Sequence, residues 1–208
     1  MAISSLSKFT VPLPGGQGGA SQGLLMPKLK YRFRVMLEGF GVSKPTTELT
    51  KQVMSCTRPS VQFENVELAV YNSKINYAGR YSFTDVQIVL RDDVTGAVSK
   101  LVGEQVQKQF DFFEQSSAAS GMDYKFVTKI EILDGGNGAF EPTILEVFEL
   151  NGCYLQNTVY DGADYKDSNP FLITLTVKFD NAIQADGTGQ PVGIGGLVGR
   201  TLRTLATG

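Results

Sequence analysis

Histidine and tryptophan are absent from this chain of 208 residues, and cysteine occurs only at Cys56 and Cys153. The absence of histidine removes the commonest general base and the commonest metal ligand of proteins. The two cysteines lie far apart in the chain, which excludes a CxxC redox motif or a zinc site. Two buried free thiols are favoured over a structural pair, since an isolated cysteine is commonly a small buried hydrophobe.

The remaining residues do not form a recognisable catalytic motif either. No serine or cysteine stands in a nucleophile motif, and no close pair of carboxylates lies in an apolar setting. Asp161, Asp164 and Asp167 fall in one segment, but their spacing does not match an EF-hand, so an acidic surface loop is preferred to a calcium site. We therefore expect a protein that is not an enzyme, with no cofactor and no metal.

Net charge and long apolar runs are also scarce. The chain has 19 basic and 21 acidic residues, a formal charge of -2, and so lacks the basic excess typical of nucleic-acid-binding surfaces. No run approaches the ~20 apolar residues of a membrane span. The start, MAISSLSKFTVPLPGG, lacks the apolar core of a signal peptide. These features predict a soluble protein made in a cytoplasm, without membrane insertion.

Glycine, serine and proline are concentrated at both ends of the chain. Segment 1–27 contains PGGQGGASQG, a flexible-linker composition, and segment 182–208 is again rich in glycine. The predicted organisation is a flexible N-terminal arm over 1–27, a folded domain over 28–181 and a glycine-rich C-terminal arm over 182–208. Each arm is either a disordered tail or a segment that becomes ordered against a neighbouring subunit.

Alternating apolar and polar residues predict that the folded domain is mainly β-structure. The predicted strands are Lys28–Leu37, Val61–Val70, Ser82–Arg91, Asp123–Leu133, Thr143–Tyr154 and Phe171–Asp180. The apolar phase slips near Glu64–Asn65, which indicates a β-bulge. Turn formers over Asn72–Gly79 predict a reversal in which Gly79 supplies a positive φ.

Two further segments complete the predicted fold. An apolar stripe at helical spacing predicts an amphipathic helix over about Thr95–Ser117. Glu38–Ser60 is predicted to be a long loop without a core of its own. The fold class is therefore an antiparallel β-sandwich or barrel with one flanking α-helix.

The pattern alone is compatible with two kinds of function. One is a self-assembling structural protein whose sheet joins the sheets of its neighbours, which removes exposed strand edges. The other is a monomeric barrel that binds a small ligand in an apolar pocket.

Three segments carry a resemblance to a known family: NSKINYAGRYSFTDVQIVLRDD from Asn72, KQFDFFEQ from Lys108 and DYKFVTKIEILDG from Asp123. Together they resemble the tail-tube proteins of contractile-tailed bacteriophages, the myovirus tail-tube family, over about Tyr31 to Asn181. The resemblance implies a β-sandwich with a helix that assembles into hexameric rings with a β-barrel lumen. It implies a structural virion protein of the inner tail tube, through which the genome is ejected into the host. The alternative is the inner tube of a phage-derived contractile injection or type VI-like secretion system.

The same resemblance implies partners and contact residues. The partners are other copies of the chain, the tail sheath protein, baseplate or tail-initiation proteins, tail-terminator proteins and DNA as a transient cargo. The implied location is the phage tail, assembled in the host cytoplasm. Candidates for contact between rings are Glu48, Leu49, Thr50, Lys51 and Gln52. Because a moving polyanion is held least by neutral or acidic walls, the lumen-facing candidates are Gln62, Glu64, Asp85, Gln87, Glu146 and Glu149.

Overall fold

The computed structural model describes residues 27–43, 46–135 and 142–192. Nearly all of the expected N-terminal arm and the part of the C-terminal arm after Val192 lie outside the described residues. Residues 27–32 are the described end of a unit separate from the rest of the chain, and in them the Arg32 N–H donates to the Leu29 carbonyl oxygen at 3.2 Å. The predicted strand Lys28–Leu37 is therefore shorter than expected, since the first strand begins at Phe33.

Within the described residues, strands dominate and two of the three helices are short. The strands are β1 (Phe33–Glu38), β2 (Val53–Cys56), β3 (Val61–Val70), β4 (Ser73–Phe83), β5 (Val86–Arg91), β6 (Phe110–Asp111), β7 (Ser116–Ser117), β8 (Phe126–Leu133), β9 (Ile144–Tyr160), β10 (Leu172–Lys178) and β11 (Asn181–Asp186). The helices are α1 (Thr47–Gln52), α2 (Ala97–Gln109) and α3 (Gly121–Tyr124).

The main sheet is antiparallel and runs in the order β1-β8-β9-β10-β5-β2, with β11 paired to β9. The 17-residue β9 pairs with β8 and β11 along its first part and with β10 along its second part. The change of partner falls at Gly152, whose φ of +71° and contact with the Asp180 carboxylate leave no room for a side chain. The mainly β, antiparallel fold class predicted from the sequence is thus confirmed.

The core lies between this sheet and α2. The apolar face of β5, with Val86, Ile88 and Leu90 fully buried, follows the predicted alternation. On α2, Val98, Leu101 and Val102 are buried against it, as the predicted helical stripe requires. Each such side chain contributes roughly 1.5–3 kcal/mol on full burial, so this layer stabilises the fold.

The predicted helix Thr95–Ser117 is longer than the observed one. Before it, the Asp93 carboxylate accepts the Ala97 N–H at 3.0 Å, and the helix begins at Ala97. After Gln109 the backbone becomes extended, because the Asp111 side chain accepts the N–H groups of Phe113 and Glu114 and stabilises a turn instead. The last part of the predicted helix therefore forms a small hairpin, β6–β7.

The turn predicted at Asn72–Gly79 lies elsewhere. The chain reverses at Tyr71–Asn72, and Gly79 lies inside β4 without a positive φ. Glycine is required there by space, because a Cβ would stand 2.9 Å from the Val66 Cγ2 and 3.0 Å from the Glu64 carbonyl oxygen. The predicted strand Ser82–Arg91 is also divided, with a break at Thr84–Asp85 where the chain enters the main sheet.

Glu38–Ser60 is not the coreless loop that the sequence predicts. It contains α1 and β2, and its Phe40 and Leu49 side chains are buried. The Phe40 ring packs edge-on against Phe126, with centroids 5.0 Å apart. The segment is therefore part of the folded core of the subunit.

Candidate assembly surfaces

The hairpin formed by β3 and β4 is a two-stranded sheet separate from the main sheet. Among the described strands its two members pair with each other and with no other strand, and nearly all their residues are exposed. Its large apolar side chains are between 44% and 59% exposed: Val61, Phe63, Val66, Leu68, Val70, Ile75, Tyr77 and Tyr81. A lone two-stranded hairpin is marginally stable in water, so these side chains mark a surface that a partner would cover.

A β-bulge divides this hairpin into two parts. Phe63 pairs with Tyr81 and Asn65 pairs with Ala78, so Glu64 stands opposite two residues, Gly79 and Arg80. The predicted irregularity near Glu64–Asn65 is confirmed, although the extra residue lies in β4 and not in β3. Alternation along β3 therefore continues without interruption through the bulge.

Because the alternation continues, the apolar side chains change sides at the bulge. Phe63 lies on one side, and the next apolar residue of β3, Val66, lies on the other. The surroundings of Gly79 agree: a Cβ there would be 2.9 Å from the Val66 Cγ2 and 3.3 Å from the Glu64 Cβ, so Val66 and Glu64 share one side.

These two apolar surfaces are the base face and the tip face. The base face consists of Val61, Phe63, Tyr81 and Phe83, and the tip face of Val66, Leu68, Val70, Ile75 and Tyr77. The base face continues into the core of the subunit, since the Phe83 and Phe179 ring centroids are 5.2 Å apart. Behind the tip face the hairpin is polar, with Lys74 and Glu67 paired at 2.7 Å and Asn65 bonded to Asn76 at 3.2 Å.

The turn that closes the hairpin carries an exposed aromatic side chain. Tyr71 is 99% exposed and has a φ of +52°. A bulky residue rarely adopts positive φ, and doing so costs roughly 1–3 kcal/mol. The position thus combines backbone strain with complete exposure of an apolar ring.

A groove lies between the end of α2 and β9. It has a volume of about 350 Å³ and is lined by Val106, Gln109, Phe110, Phe112, Leu155, Gln156, Asn157, Thr158 and Tyr160, none of them charged. Two hydrogen bonds join α2 to β9 in this groove. The Gln109 side chain donates to the Leu155 carbonyl oxygen at 2.9 Å and accepts the Leu155 N–H at 2.8 Å. Burial, with Asp92 nearby, raises the pKa of Tyr160 and keeps its phenol neutral.

Helix α2 also holds the segment that follows β1. The Glu104 carboxylate accepts the N–H groups of Val42 at 3.0 Å and Ser43 at 2.7 Å, and the Ser43 hydroxyl at 2.5 Å. These bonds, from Ser43 first, lower the pKa of Glu104 to about 2. The buried Gln105 accepts the Gly41 N–H at 2.9 Å and donates to the Tyr124 carbonyl oxygen at 2.7 Å. The segment is therefore held by hydrogen bonds to one helix.

The five candidates for contact between rings lie on α1, but they differ in exposure. Leu49 is fully buried and belongs to the core of the subunit. Glu48 and Lys51 are paired at 2.8 Å, and Gln52 accepts a hydrogen bond from Arg91 at 3.0 Å. Of the five, Lys51 is exposed and Glu48, Thr50 and Gln52 are half-buried, so these four side chains reach the surface and Leu49 does not.

The six lumen-facing candidates are spread over several surfaces. Gln62 and Glu64 lie on the hairpin, Asp85 stands 3.9 Å from the Lys178 amine, and Gln87 is exposed on β5. Glu149 is opposite Lys129 on the outward face of β8–β9. Glu146 is only 8% exposed and is hydrogen-bonded to the Gln184 amide, which places it on the inner side of the sheet. The structure therefore does not bring the six residues together within one subunit.

Sequence reasoning missed the change of apolar side along the hairpin, the strained Tyr71 and the hairpin after α2. The first left a signal in the sequence. The spacing from Phe63 to Val66 breaks the period of two, and a glycine stands where the partner strand passes. A slip of phase in a continuing strand moves the apolar set to the other face.

Metal-binding groups are lacking in the part of the chain that the structure describes. No group of three or more Cys, Asp or Glu in it could hold a metal ion, and the sequence has no histidine. Cys56 and Cys153 are free, and burial raises the pKa of the Cys153 thiol to about 11. None of the described helices is both long and apolar enough to span a membrane.

Comparison with known proteins gives structural neighbours only. No protein-family model matches the sequence, and no curated protein matches it. A chain of the anti-feeding prophage baseplate, solved by cryo-EM with six-fold symmetry, aligns with a TM-score of 0.58 at 10% identity, over 79% of this chain and 99% of that one. The anti-feeding prophage cap, which terminates the tube, gives 0.57 at 11% identity, over 79% and 95%.

A chain of the extended sheath-tube complex of PVC, an extracellular contractile injection system, gives 0.53 at 10% identity. That alignment covers 89% of this chain and 99% of the other. At these identities the likeness shows a shared fold. The chain therefore has the fold of chains found in contractile injection assemblies.

Proposed function

We propose that this chain is a structural subunit that assembles with copies of itself into hexameric rings, which stack into the hollow inner tube of a contractile tail or injection system. The observation that carries the proposal is the β3–β4 hairpin, with its half-exposed apolar side chains, on a fold shared with chains of such assemblies. A large apolar surface on a lone subunit indicates an interface.

The edges of the main sheet support self-assembly. β1 and β2 end the sheet, and β11 is an edge strand beside β9. Open edges present unpaired N–H and C=O groups, which neighbouring copies can pair. Closing six sheets into one barrel removes these edges and creates a channel.

The specific assignment is the inner tail tube of a contractile-tailed phage. It is supported by the resemblance of the segment from Asn72 to Asp93 to the tail-tube family. In that role the partners are sheath, baseplate or tail-initiation and terminator proteins, and the chain is part of a virion assembled in the host cytoplasm. The genome passes through the lumen during ejection.

A phage-derived contractile injection system is the second candidate. It is favoured by the structural neighbours, which come from the anti-feeding prophage and PVC assemblies. The two roles require the same subunit geometry. They differ in whether the tube transports a genome.

The chemistry of the described surface fits a passive role better than an enzyme. The outward face of β1, β8 and β9 carries Arg34 paired with Glu131 at 2.6 Å and Lys129 paired with Glu38 at 2.8 Å. Glu149 adds a further carboxylate beside Lys129. Because the basic groups on this face are paired, it would hold a passing polyanion weakly, and we propose it, with Gln87 on β5, for the channel wall.

Contact between rings is proposed for the exposed side of α1. Glu48, Thr50, Lys51 and Gln52 are the contact residues in this proposal, and the buried Leu49 anchors the helix that presents them. A rigid anchor reduces the entropy lost when a surface binds its partner.

Mass measurement and negative-stain electron microscopy across a range of concentrations test the proposal. We expect six-fold rings, or tubes, from the purified full-length chain. A chain that stays monomeric when concentrated, with tail-initiation components present, would contradict it.

A further inference from the structure

We infer that the hairpin of one copy docks by its tip face in the groove between α2 and β9 of a second copy, with the Tyr71 ring inserted. The inference rests on the proposed self-assembly and adds to it a specific pair of surfaces. Both surfaces belong to this chain, and none of the residues described in 27–43, 46–135 and 142–192 covers either of them.

Because of the bulge, the two apolar faces lie on opposite sides of the hairpin and cannot pack against the same surface. The base face is directed to the subunit's own core through Phe83 and Phe179. The tip face points to the opposite side of the hairpin, because the register shifts by one residue at Glu64. The core that packs against the base face therefore does not cover the tip face, and none of the described residues covers it, so we place the covering surface on a second copy.

Tyr71 provides an independent indication. A tyrosine at a φ of +52° is strained, and the ring gains nothing in the isolated chain because it is 99% exposed. Glycine would close the same turn without strain. Strain of this kind is explained if the ring is buried in a partner, since tyrosine is a frequent anchor at the centre of interfaces.

The groove matches this ridge in chemistry. The five tip-face side chains are apolar, with Glu64 on the same side beyond Val66 at the bulge. The groove is lined by apolar and neutral polar side chains. Phe110, Phe112 and Tyr160 contribute aromatic rings to the lining, and Gln156 and Asn157 contribute amides that can hydrogen-bond a phenol hydroxyl. Docking by the five apolar residues leaves Glu64 at the bulge end in solvent and places no charge in the groove, which avoids the main penalty of docking.

The geometry of such a contact is head to tail. A ridge on one part of the chain that fits a groove on another part makes a heterologous interface. Such an interface closes into a ring when its rotation closes and otherwise produces a filament. The inferred contact therefore produces rings or filaments from a single chain type.

Two substitutions test the contact, and each has a control substitution at the next residue of the chain. Leu68→Asp places a charge in the tip face, while Ala69→Asp places it on the opposite side of the same strand, beside Lys74. Phe112→Asp places a charge in the groove wall, while Phe113→Asp changes a neighbour that is 95% exposed and does not line the groove. Circular dichroism checks that all four variants fold.

We expect Leu68→Asp and Phe112→Asp each to weaken self-association at least tenfold, measured by sedimentation, with the two controls like the parent chain. An equimolar mixture of the two weakened variants should form a heterodimer, because one provides an intact tip and the other an intact groove. Tyr71→Gly should keep or raise the melting temperature of the monomer and still weaken association. Should Leu68→Asp misfold, Tyr71→Gly takes its place in the mixture.

The outcomes separate this contact from the tube proposal. If the parent chain forms rings and both Asp variants assemble like their controls, the tube proposal stands and the inferred contact is wrong. If the mixture pairs but the parent never forms rings, the contact stands and the tube proposal fails. A mixture that stays monomeric overturns the contact in either case.

Discussion

At the scale of single residues, Gly79 controls the shape of the exposed hairpin. It lies at the bulge, where any Cβ would meet the Val66 Cγ2 at 2.9 Å and the Glu64 carbonyl oxygen at 3.0 Å. The sequence shows the glycine but suggests a turn, because glycine is also the usual residue for positive φ. The close approach of a second strand depends on pairing, which no local pattern encodes.

Gly79→Ala should therefore destabilise the hairpin. The added methyl forces β3 and β4 apart or shifts the bulge, and overpacking of this kind costs about 1–3 kcal/mol. The measurement is the free energy of unfolding by urea. Gly103→Ala is the matched control: nothing lies within 4 Å of its Cβ position in α2, so this variant should be stabilised by up to about 1 kcal/mol. Equal effects of the two substitutions would show that the bulge does not require glycine.

Glu104 makes the folding stability of the chain depend on pH in the acid range. Hydrogen bonds from Ser43 and Val42 lower the pKa of its carboxyl from the ordinary 4.5 to about 2. A carboxyl with a depressed pKa in the folded state stabilises fully above its unfolded pKa. That contribution is lost as pH falls from near 4.5 through about 2.

We expect Glu104→Gln to have a lower melting temperature than the parent chain at pH 7. Between pH 5 and about pH 2, the melting temperature of this variant should fall less than that of the parent. Ser43→Ala removes the largest cause of the shift and should reduce the acid response partly. Thermal melts at several pH values measure both. An acid response in Glu104→Gln identical to that of the parent would refute the role given to this carboxyl.

At the scale of elements, the sequence predicted those whose pattern is local. The alternation of Val86, Ile88 and Leu90 and the helical stripe of Val98, Leu101 and Val102 both correspond to buried faces. Boundaries were less accurate where a side chain competes with the backbone, as Asp111 does at the end of α2. The groove joins the end of α2 to β9, distant segments of the chain, and for that reason was not predictable.

The short helix α1 was not predicted from the sequence either, and two of its residues test its two proposed roles. Leu49 is fully buried, while the Lys51 side chain is 65% exposed. Leu49→Ala should destabilise the subunit by about 2–5 kcal/mol, as expected for a truncated core leucine. Lys51→Ala should change stability by no more than about 0.5 kcal/mol, and we expect it to weaken stacking of rings.

Urea unfolding and electron microscopy of the two α1 variants distinguish these roles. If Leu49→Ala unfolds like the parent chain, α1 is a separate contact segment and not part of the core. If Lys51→Ala stacks normally and the other exposed positions behave likewise, the proposed contact between rings is wrong.

At the scale of the whole molecule, the fold class could be predicted and the assembly surfaces only in part. Six of the main strands and one long helix have clear local signals, and the resemblance connects them to a tube. The arms over 1–27 and after residue 192 remain predictions. Residues 181–186, where the C-terminal arm was expected to begin, form β11 and extend the main sheet.

The central claim is that the subunit completes its surface only by binding copies of itself. A cryo-EM reconstruction of the purified full-length chain, prepared at high concentration with tail-initiation components, tests it most directly. We expect a six-fold ring or tube in which another copy covers the tip face of every hairpin. Particles that remain single subunits under all these conditions, or rings whose tip faces stay in solvent, would contradict the account.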